Sequence, residues 1–368
     1  MRDTALRPKA LGRRILRSGL LDALAAPHGA ERYLELVRPR WSLRDLRAEV
    51  TAVRHPAPGS VTLTLQPNHL WDGFEPGQFV RCTVEIDGSR HARCYSPASS
   101  AHRRDGQIEV TARSHRGGLV SRFLHDRATR GMLVGLEPAG GDFVLPAIRP
   151  AHLALISGGS GITPVMSMLR TLLDEGHRGR IAFLHYSPTP DHVPYAPELG
   201  AIAARAANVS VGLRYTRTGG GAVADGYFQP DHLDTLAPDL EDAATYVCGP
   251  RGLIDAVRDA GGAARVRSES FTLAAPATGS ESDSAGGAVR FARSAIDAPN
   301  TGATLLVQAE AAGLKPVHGC RMGICHTCTC RKLGGEVRNL LTGAISSAEG
   351  VDIQLCVSVP TGSITLDL

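Results

Sequence analysis

The sequence predicts a multidomain chain in which an antiparallel β-barrel, an α/β unit with a parallel sheet and a β-rich C-terminal unit follow one another. Three observations lead to this prediction. Short alternating strands dominate from about residue 45, a strand, glycine turn and helix begin at about residue 150, and five of the eight cysteines lie in the last fifty residues. At 368 residues, the chain is long enough for two or three domains with separate cores.

Composition and charge indicate a globular protein of a reducing compartment. The formal net charge is +4, and residues 1–40 alone carry nine Arg or Lys against four Asp or Glu, so the rest is close to neutral. No aromatic-interleaved basic patch supports nucleic-acid binding. No apolar run approaches the ~20 residues of a membrane span, and a signal-peptide core is missing. Clustered cysteines indicate a cofactor rather than disulfides. We therefore expect a cytoplasmic monomer.

Residues 1–44 read as a basic N-terminal extension. A helix is predicted over residues 8–26, with proline near its start and just past its end. Its leucines favour one side and its arginines lie elsewhere. Such a helix can pack on the domain behind it or lie on an anionic membrane surface. Peripheral membrane contact through residues 1–40 is therefore an open alternative.

Residues 45–148 form the predicted barrel, with strands at 61–65, 78–86 and 107–113 and Gly or Pro between them. Two short motifs stand out within it. The first, Arg93–Pro97, places a cation, an aromatic ring and a hydroxyl close together at a strand end. The second, Gly117–Ser121, is a glycine turn that enters a helix, where backbone N–H groups can bind phosphate oxygens.

Together these motifs resemble the flavin domain of the ferredoxin-NADP reductase superfamily, a six-stranded antiparallel barrel. The resemblance implies that Arg93 holds a flavin phosphate, that Tyr95 lies against the isoalloxazine ring and that Ser96 is catalytic, bonding near flavin N5. It also implies that three residues of the glycine turn bind the pyrophosphate: Gly117, Gly118 and Ser121. FAD is the expected flavin, and FMN is the alternative.

Residues 149–273 begin with an apolar strand at 152–157, a glycine turn and a helix at 165–173. Gly158, Gly159 and Gly161 allow a tight turn and close approach to a pyrophosphate at the helix N-terminus. Further strands and helices alternate along the chain, which predicts a parallel sheet. The fold class of this unit is therefore α/β and Rossmann-like, with a nucleotide bound at the carboxyl ends of the strands.

The same superfamily shows this glycine turn together with a Cys-Gly-Pro motif. By resemblance, Thr163 contacts the pyridine nucleotide, while Cys248, followed by Gly249 and Pro250, is a second catalytic residue beside the nicotinamide. A buried small residue at a strand end is the plain structural alternative for Cys248. The stretch before Phe271 resembles the strand that closes the module, which places Phe271 near the flavin.

Thr216 and Arg217 bear on the choice between NADPH and NADH. They follow the third strand of the unit, where the NADPH-selective members of the superfamily tend to have Ser-Arg. A guanidinium suits the dianionic 2′-phosphate of NADPH. We therefore expect NADPH, with NADH and an ordinary surface arginine as the alternatives.

A polar linker of small residues, 274–287, joins this unit to residues 288–368. Strands are predicted at 288–294, 333–338, 353–359 and 363–366, and residues 304–312 read as a strand followed by a helix. The pattern resembles a β-grasp ferredoxin.

Four cysteines of this last unit have the spacing of a plant-type [2Fe–2S] site: three are separated by four and two residues, and the fourth follows after 27 more. The predicted ligands are Cys320, Cys325, Cys328 and Cys356. Zinc and four unrelated thiols are the alternatives, although zinc more often shows two Cys-x-x-Cys pairs. Cys330 is an additional thiol beside the loop.

The order of the three units resembles the single-component reductases of bacterial oxygenases and desaturases. The expected enzyme is an NAD(P)H oxidoreductase that passes electrons through FAD and a [2Fe–2S] cluster to a terminal oxygenase. The basic extension most resembles actinobacterial reductases, which implies a di-iron fatty-acyl desaturase as the protein partner. A Rieske or other multicomponent hydroxylase is one alternative, and a non-catalytic electron-relay subunit is another.

Overall fold

The computed structural model describes residues 40–271 and 286–368, apart from residues 43, 116, 218–225, 239–242, 262–264, 320, 322, 324 and 325. The predicted helix 8–26, most of the linker 274–287, and the predicted ligands Cys320 and Cys325 therefore lie outside the described residues.

The first sheet is the predicted six-stranded antiparallel barrel, with strand order β4-β3-β6-β1-β2-β5. Its strands are β1 Arg47–Arg54, β2 Ser60–Pro67, β3 Val80–Ile86, β4 Ser89–Tyr95, β5 Ile108–Arg113 and β6 Leu133–Leu136. Helix α1, Leu119–Arg127, packs Val120 and Leu124 into the barrel core. The edge strands β4 and β5 meet through an isolated bridge between Pro97 and Val110. The barrel therefore closes right beside Ser96.

The second sheet is parallel throughout, with strand order β11-β10-β7-β8-β9. Its strands are β7 Leu153–Gly158, β8 Ile181–Ser187, β9 Val209–Tyr215, β10 Ala244–Cys248 and β11 Val266–Glu269, and its helices are α2 Ile162–Asp174, α3 Ala196–Arg205, α4 Pro230–Leu236 and α5 Arg251–Gly261. Every residue of β7 and β8 is buried, as expected of strands covered by helices on both faces. Within the described ranges, no helix is long and apolar enough to cross a membrane.

The third sheet has the order β13-β12-β17-β14-β15, with β16 paired to β14. Its elements are β12 Ala288–Phe291, β13 Ile296–Pro299, helix α6 Leu305–Ala311, β14 Thr329–Asn339, β15 Ile345–Ser346, β16 Val351–Gln354 and β17 Ser358–Leu366. Two sequence predictions fail here. Residues 304–312 contain only a helix. The predicted strand 353–359 is two strands, because the chain turns at residues 355–357, where Leu355 N–H donates to Cys328 O at 3.1 Å.

Helix α2 joins the nucleotide unit to the barrel through the backbone that follows the flavin motif. Ser167 Oγ donates to Ser99 O at 2.8 Å, and Thr171 Oγ1 accepts from Ala101 N–H at 3.0 Å. These side chains lie four residues apart and therefore share one helix face. One flank of α2 thus fixes residues 98–101.

Arg170, on the same face, is the centre of a largely buried ionic network. Its guanidinium donates to Ala98 O at 2.7 Å, to Glu109 of the barrel at 3.0 Å and to Glu198 of α3 at 2.5 and 2.8 Å. It also lies over the Tyr195 ring, 5.1 Å from the centroid. A paired network of this kind specifies geometry more than it adds stability. It sets the position of the nucleotide unit relative to the flavin unit.

Candidate active site

The barrel closure presents a buried hydroxyl group with an unused hydrogen bond. Ser96 is 2% exposed, and its Oγ has no hydrogen-bond partner among the described residues. Burying an unpaired hydroxyl is costly, so a partner from outside the chain is expected. The preceding Tyr95 is half-buried and packs against the barrel core. The pair is compatible with the flavin ring that the sequence motif predicts, because Ser96 retains an unused hydrogen bond.

The glycine turn before α1 is shaped for close approach. Gly117 has φ +83°, and a Cβ atom added at Gly118 would lie 2.4 Å from Ser121 Oγ and 2.6 Å from the His115 ring. Ser121 Oγ lies 3.3 Å from His115 Nδ1. Arg93 donates through one nitrogen to Ala92 O at 2.7 Å and has further N–H groups for a phosphate. His115 was not predicted, although it lies only two residues before the motif.

The glycine turn of the nucleotide unit packs directly on the Cys-Gly-Pro motif. A Cβ atom added at Gly161 would lie 2.1 Å from Cys248 O, and one added at Gly249 would lie 3.0 Å from Gly158 N. Pro250 Cδ lies 3.0 Å from the Cβ position of Gly158. Only glycine allows these backbones to approach so closely. The structure therefore brings together the two motifs that the sequence separates by about ninety residues.

The N-terminus of α2 follows this turn directly, and its first N–H group, that of Ile162, donates back to Gly159 O and Ser160 O. Gly159 has φ +56°, and Thr163 in the first helical turn is buried, its Oγ1 donating to Ser160 O at 3.3 Å. Arg113, at the end of β5, places Nη1 4.0 Å from the Cβ position of Gly159. A cation beside a helix N-terminus favours an anionic ligand such as a pyrophosphate. Arg113 was missed because only the fold brings the barrel to this turn.

Cys248 is completely buried at the carboxyl end of β10. Burial raises the pKa of its thiol well above the usual value, so the side chain is a neutral, compact group. It belongs to an apolar cluster that also contains Ala98, two residues after Ser96, and against which Phe271 packs. Ala98, which directly follows the flavin motif, therefore shares one apolar cluster with Cys248 and Phe271.

Glu269 is a further candidate that the sequence reasoning did not single out. It pairs with Cys248 across β11 and β10, is 8% exposed, and its Oε2 has no hydrogen-bond partner within the described part of the chain. Burial raises the pKa of this carboxyl from 4.5 to about 8. It is therefore largely protonated at neutral pH. Its position two residues before Phe271 was the available signal.

Thr216 and Arg217 lie at the carboxyl edge of the parallel sheet. Their backbone N–H groups donate to Ser187 O and Pro188 O, each at 2.9 Å, so the ends of β9 and β8 are joined. Arg217 is exposed. An exposed guanidinium at this edge can reach a nucleotide phosphate, which is what the sequence prediction requires of it.

Two of the predicted cluster ligands are described, and they lie side by side. Cys328 and Cys356 are 3% and 5% exposed, and Cys356 N–H donates to Cys328 Sγ at 3.5 Å. A backbone donor to sulfur stabilises a thiolate, the form that binds metal. Leu355 and Val357 pack around the pair in the core of the third unit. The donor set fits an iron–sulfur cluster.

Three described residues of the cysteine loop, the stretch between Gly319 and Cys328, have an unusual backbone conformation. Arg321, Gly323 and His326 all have left-handed backbones, with φ of +59°, +77° and +53°. A Cβ atom at Gly323 would lie 2.5 Å from Leu341 Cδ1. Cys330 is buried nearby, its thiol directed to Asp367 O at 3.7 Å, and burial raises its pKa. Cys330 therefore serves packing rather than ligation in this arrangement.

All three units line a single cavity of about 630 Å³. The barrel contributes Phe79 and Phe143, the nucleotide unit contributes Glu269, and the C-terminal unit contributes Gly323 and His326 of the cysteine loop. The three units therefore meet at one junction.

Replacing Glu269 with Gln tests the buried carboxyl. The folded wild-type protein holds the Glu269 proton up to about pH 8, whereas the unfolded chain loses it near 4.5. As the pH rises from 4.5 toward 8, the free energy of unfolding of the wild type should therefore fall relative to that of E269Q, by about 1.4 kcal/mol per pH unit. Above about pH 8 the difference between the two proteins should stay constant. Urea unfolding from pH 5 to 9 measures this difference.

The matched control is E85Q, because Glu85 is an exposed residue of β3. Its stability curve should run parallel to that of the wild type. Parallel curves for E269Q as well would show that the Glu269 carboxyl is ionised in the folded protein.

Family models match each unit in turn. The oxidoreductase FAD-binding domain matches residues 60–144, the oxidoreductase NAD-binding domain matches residues 155–259, and the 2Fe-2S iron-sulfur cluster binding domain matches residues 292–361. The flavin, pyridine nucleotide and [2Fe–2S] predictions are confirmed, and the zinc alternative is not supported.

Curated relatives match along most of the chain. A protein of Mycobacterium tuberculosis strain H37Rv named NADPH oxidoreductase is 35% identical over 346 residues, covering 91% of this chain and 88% of the relative. The glycine betaine monooxygenase reductase subunit of Pseudomonas aeruginosa strain UCBPP-PA14 is 31% identical over 327 residues, covering 80% and 87%.

Among solved structures, phthalate dioxygenase reductase has the same fold, with a TM-score of 0.59 and 23% identity over 88% of this chain and 98% of that one. The three matched domains, their order and the relatives that match most of the chain all indicate the same family. The alternative of a non-catalytic electron-relay subunit is not supported. The chain belongs to the ferredoxin-NADP reductase superfamily, in the group with a C-terminal [2Fe–2S] domain, and is an NAD(P)H-dependent oxidoreductase that uses FAD.

Proposed function

We propose that this protein is the reductase component of an oxygenase system, taking a hydride from NADPH and delivering single electrons to a terminal protein partner. The observation that carries this proposal is the junction where the barrel, the nucleotide unit and the cysteine loop line one cavity. Two-electron and one-electron centres must lie close together for such transfer. When bound, the flavin accepts a hydride from nicotinamide and releases electrons singly to a [2Fe–2S] cluster.

The chain's own residues position the hydride transfer and exclude water from it. Ser96 supplies an otherwise unpaired hydroxyl to the flavin ring, and Tyr95 supports the ring from the barrel. The buried Cys248 thiol stays protonated and therefore leaves the region proposed for the nicotinamide uncharged. Phe271 packs on the same apolar cluster and covers the region where both rings meet. Close positioning in a dry site is the main contribution a protein makes to cofactor chemistry.

Phosphate binding is the task of the two glycine turns. Gly117, Gly118 and Ser121, with Arg93, suit the flavin pyrophosphate, and the α2 N-terminus with Thr163 suits the nucleotide pyrophosphate. Arg113 lies beside the second turn and adds a positive charge from the barrel. The nucleotide is therefore bound by both units, which supports its alignment with the flavin.

NADPH is the proposed donor. Arg217 is exposed at the edge of the sheet beside Thr216. At this place the NADPH-selective members of the superfamily tend to have Ser-Arg, which suits the 2′-phosphate. The mycobacterial relative is named NADPH oxidoreductase, which agrees with this choice.

We propose a di-iron fatty-acyl desaturase as the terminal partner. The basic N-terminal extension and the order of the modules support this class. The second candidate is a Rieske or other multicomponent hydroxylase, favoured by relatives named as reductase subunits of glycine betaine monooxygenase and of stachydrine N-demethylase. Reconstitution with one enzyme of each class, followed by measuring NADPH-dependent product formation, separates the two candidates.

Replacing Ser96 with Ala should slow flavin reduction by NADPH about 100-fold, because one hydrogen bond at the reacting ring is lost. Anaerobic stopped-flow absorbance measures the rate, and flavin content is checked first. Ser89→Ala, at the exposed start of the same strand, is the control and should leave the rate unchanged. An unaltered rate in S96A would remove Ser96 from the catalytic role.

Replacing Arg217 with Leu should reduce the preference for NADPH over NADH about 10- to 100-fold, since a charged hydrogen bond contributes about 1.5–3 kcal/mol. The ratio of kcat/KM for the two nucleotides measures this preference. The loss should lie in KM for NADPH, while NADH kinetics stay the same. Equal losses for both nucleotides would contradict a 2′-phosphate contact.

Replacing Cys320 with Ser should abolish most reduction of the protein acceptor, because the cluster loses a ligand, while NADPH still reduces the flavin. Anaerobic titration of wild type and variant, followed by absorbance and electron paramagnetic resonance, separates the two centres. Intact electron delivery by the variant would show that the cluster is not on the path, and the proposed order of transfer would be wrong.

A further inference from the structure

Two arginines from two different units contact the C-terminal unit on either side of the common cavity. Arg81 of the barrel donates through Nη1 to Thr327 Oγ1 at 3.2 Å. Arg251, at the start of α5, donates to the carbonyl oxygen of Leu341. Both Arg251 and Leu341 line the cavity, as does His326, the neighbour of Thr327. The C-terminal unit is thus fastened to both of the other units.

The direction of Arg81 follows from strand geometry. Its neighbours on β3, Val80 and Cys82, are 0% and 2% exposed and fill the barrel core. Because side chains alternate along a strand, Arg81 must leave the opposite face, which is the face turned to the cysteine loop. Glu137 Oε1, 3.3 Å from Arg81 Nη1, holds the guanidinium from the next strand's end.

The Arg81 side chain is only 22% exposed, and its Nε is buried without a hydrogen-bond partner among the described residues. A guanidinium donates through all its N–H groups in water. A buried N–H group without a partner is unfavourable, so the contacts with Thr327 and Glu137 must hold the Arg81 side chain in place. A charge held partly out of water also acts more strongly on its neighbours than a surface charge does.

The contact at Thr327 acts next to a cluster ligand. Thr327 immediately precedes Cys328, whose sulfur accepts from Cys356 N–H. Leu341, the partner of Arg251, packs against the Cβ position of Gly323 in the same loop. Arg81 therefore contacts the residue next to Cys328, and Arg251 contacts a residue that packs against the Cβ position of Gly323.

We propose that Arg81 is a positioning residue for electron transfer from flavin to cluster: it holds Thr327, next to the predicted ligand Cys328, on the barrel, and its charge favours the reduced cluster. The proposal rests on the proposed function. Each transfer oxidises the reduced flavin by one electron and reduces the cluster by one, and two transfers use the two electrons of one hydride. Arg81 itself exchanges no proton or electron.

The physical basis is twofold. Reduction adds one negative charge to the cluster, and a nearby fixed cation stabilises that charge. The hydrogen bond from the Arg81 guanidinium to the Thr327 hydroxyl joins two units that each have an apolar core of their own, so its loss should change the docking geometry rather than the folding of either unit. The effect on the potential comes from the charge of Arg81.

The test uses the full-length holoprotein and four variants. R81M removes charge and hydrogen bond, R81K keeps the charge but not the planar fork, T327V removes the acceptor hydroxyl and T327S retains it. R90M is the matched control, because Arg90 is an exposed arginine of the adjacent strand β4. Stopped-flow mixing with NADPH gives separate rates for flavin and cluster reduction. Redox titration monitored by electron paramagnetic resonance gives the cluster potential.

We expect R81M to slow cluster reduction about tenfold or more at an unchanged rate of flavin reduction, and to lower the cluster potential. T327V should slow the transfer with the potential unchanged, R81K should recover the potential better than the rate, and T327S and R90M should match the wild type. Wild-type rates and potentials in R81M, R81K and T327V would overturn the proposal. A wild-type cluster that NADPH fails to reduce would instead overturn the proposed function, while the R81M potential would still test the charge effect.

Discussion

The hydrogen bonds from one flank of α2 to residues 98–101 are the interaction on which the active site depends. The N-terminus of α2 carries the nucleotide glycine turn, and Ser167, Arg170 and Thr171 hold the backbone just beyond Ser96. A single helix therefore fixes the distance between the nucleotide-binding turn and the flavin motif. Hydride transfer needs the two rings in contact, and a displacement of about 1 Å can cost 100-fold in rate.

Apolar and charged contacts both join the units. The apolar cluster of the nucleotide unit extends to Ala98, Phe143 and Leu145 of the barrel, whereas the barrel and the C-terminal unit have clusters of their own. Arginines add charged contacts at each junction: Arg170 between flavin and nucleotide units, and Arg81 and Arg251 toward the C-terminal unit. Ionic and hydrogen-bonded junctions add little net stability but require particular geometry. The cores thus stabilise the modules, and the arginines set how the modules face one another.

Two buried ionisable groups are neutral in the region proposed for the two rings. Burial keeps the Cys248 thiol protonated and raises the pKa of Glu269 to about 8. Positive charges stand at its margins instead, at Arg93 and Arg113, near the turns suited to phosphate. This separation fits a hydride transfer between stacked rings, which needs positioning and no ionised base, combined with binding of two pyrophosphate-bearing molecules.

The sequence by itself determined the three modules, their order and the cofactor motifs, because period-2 strands, a strand–glycine–helix turn and cysteine spacing are local patterns. It could not give Glu269, Arg113 or Arg81, since an isolated charged residue carries no periodic signal. Only the tertiary structure decided that Gly161 packs on Cys248, that the strand predicted over 353–359 breaks at Cys356, and that Arg81 faces the cysteine loop. These features arise from contacts between residues that are distant along the chain, and burial and electrostatics depend on such contacts.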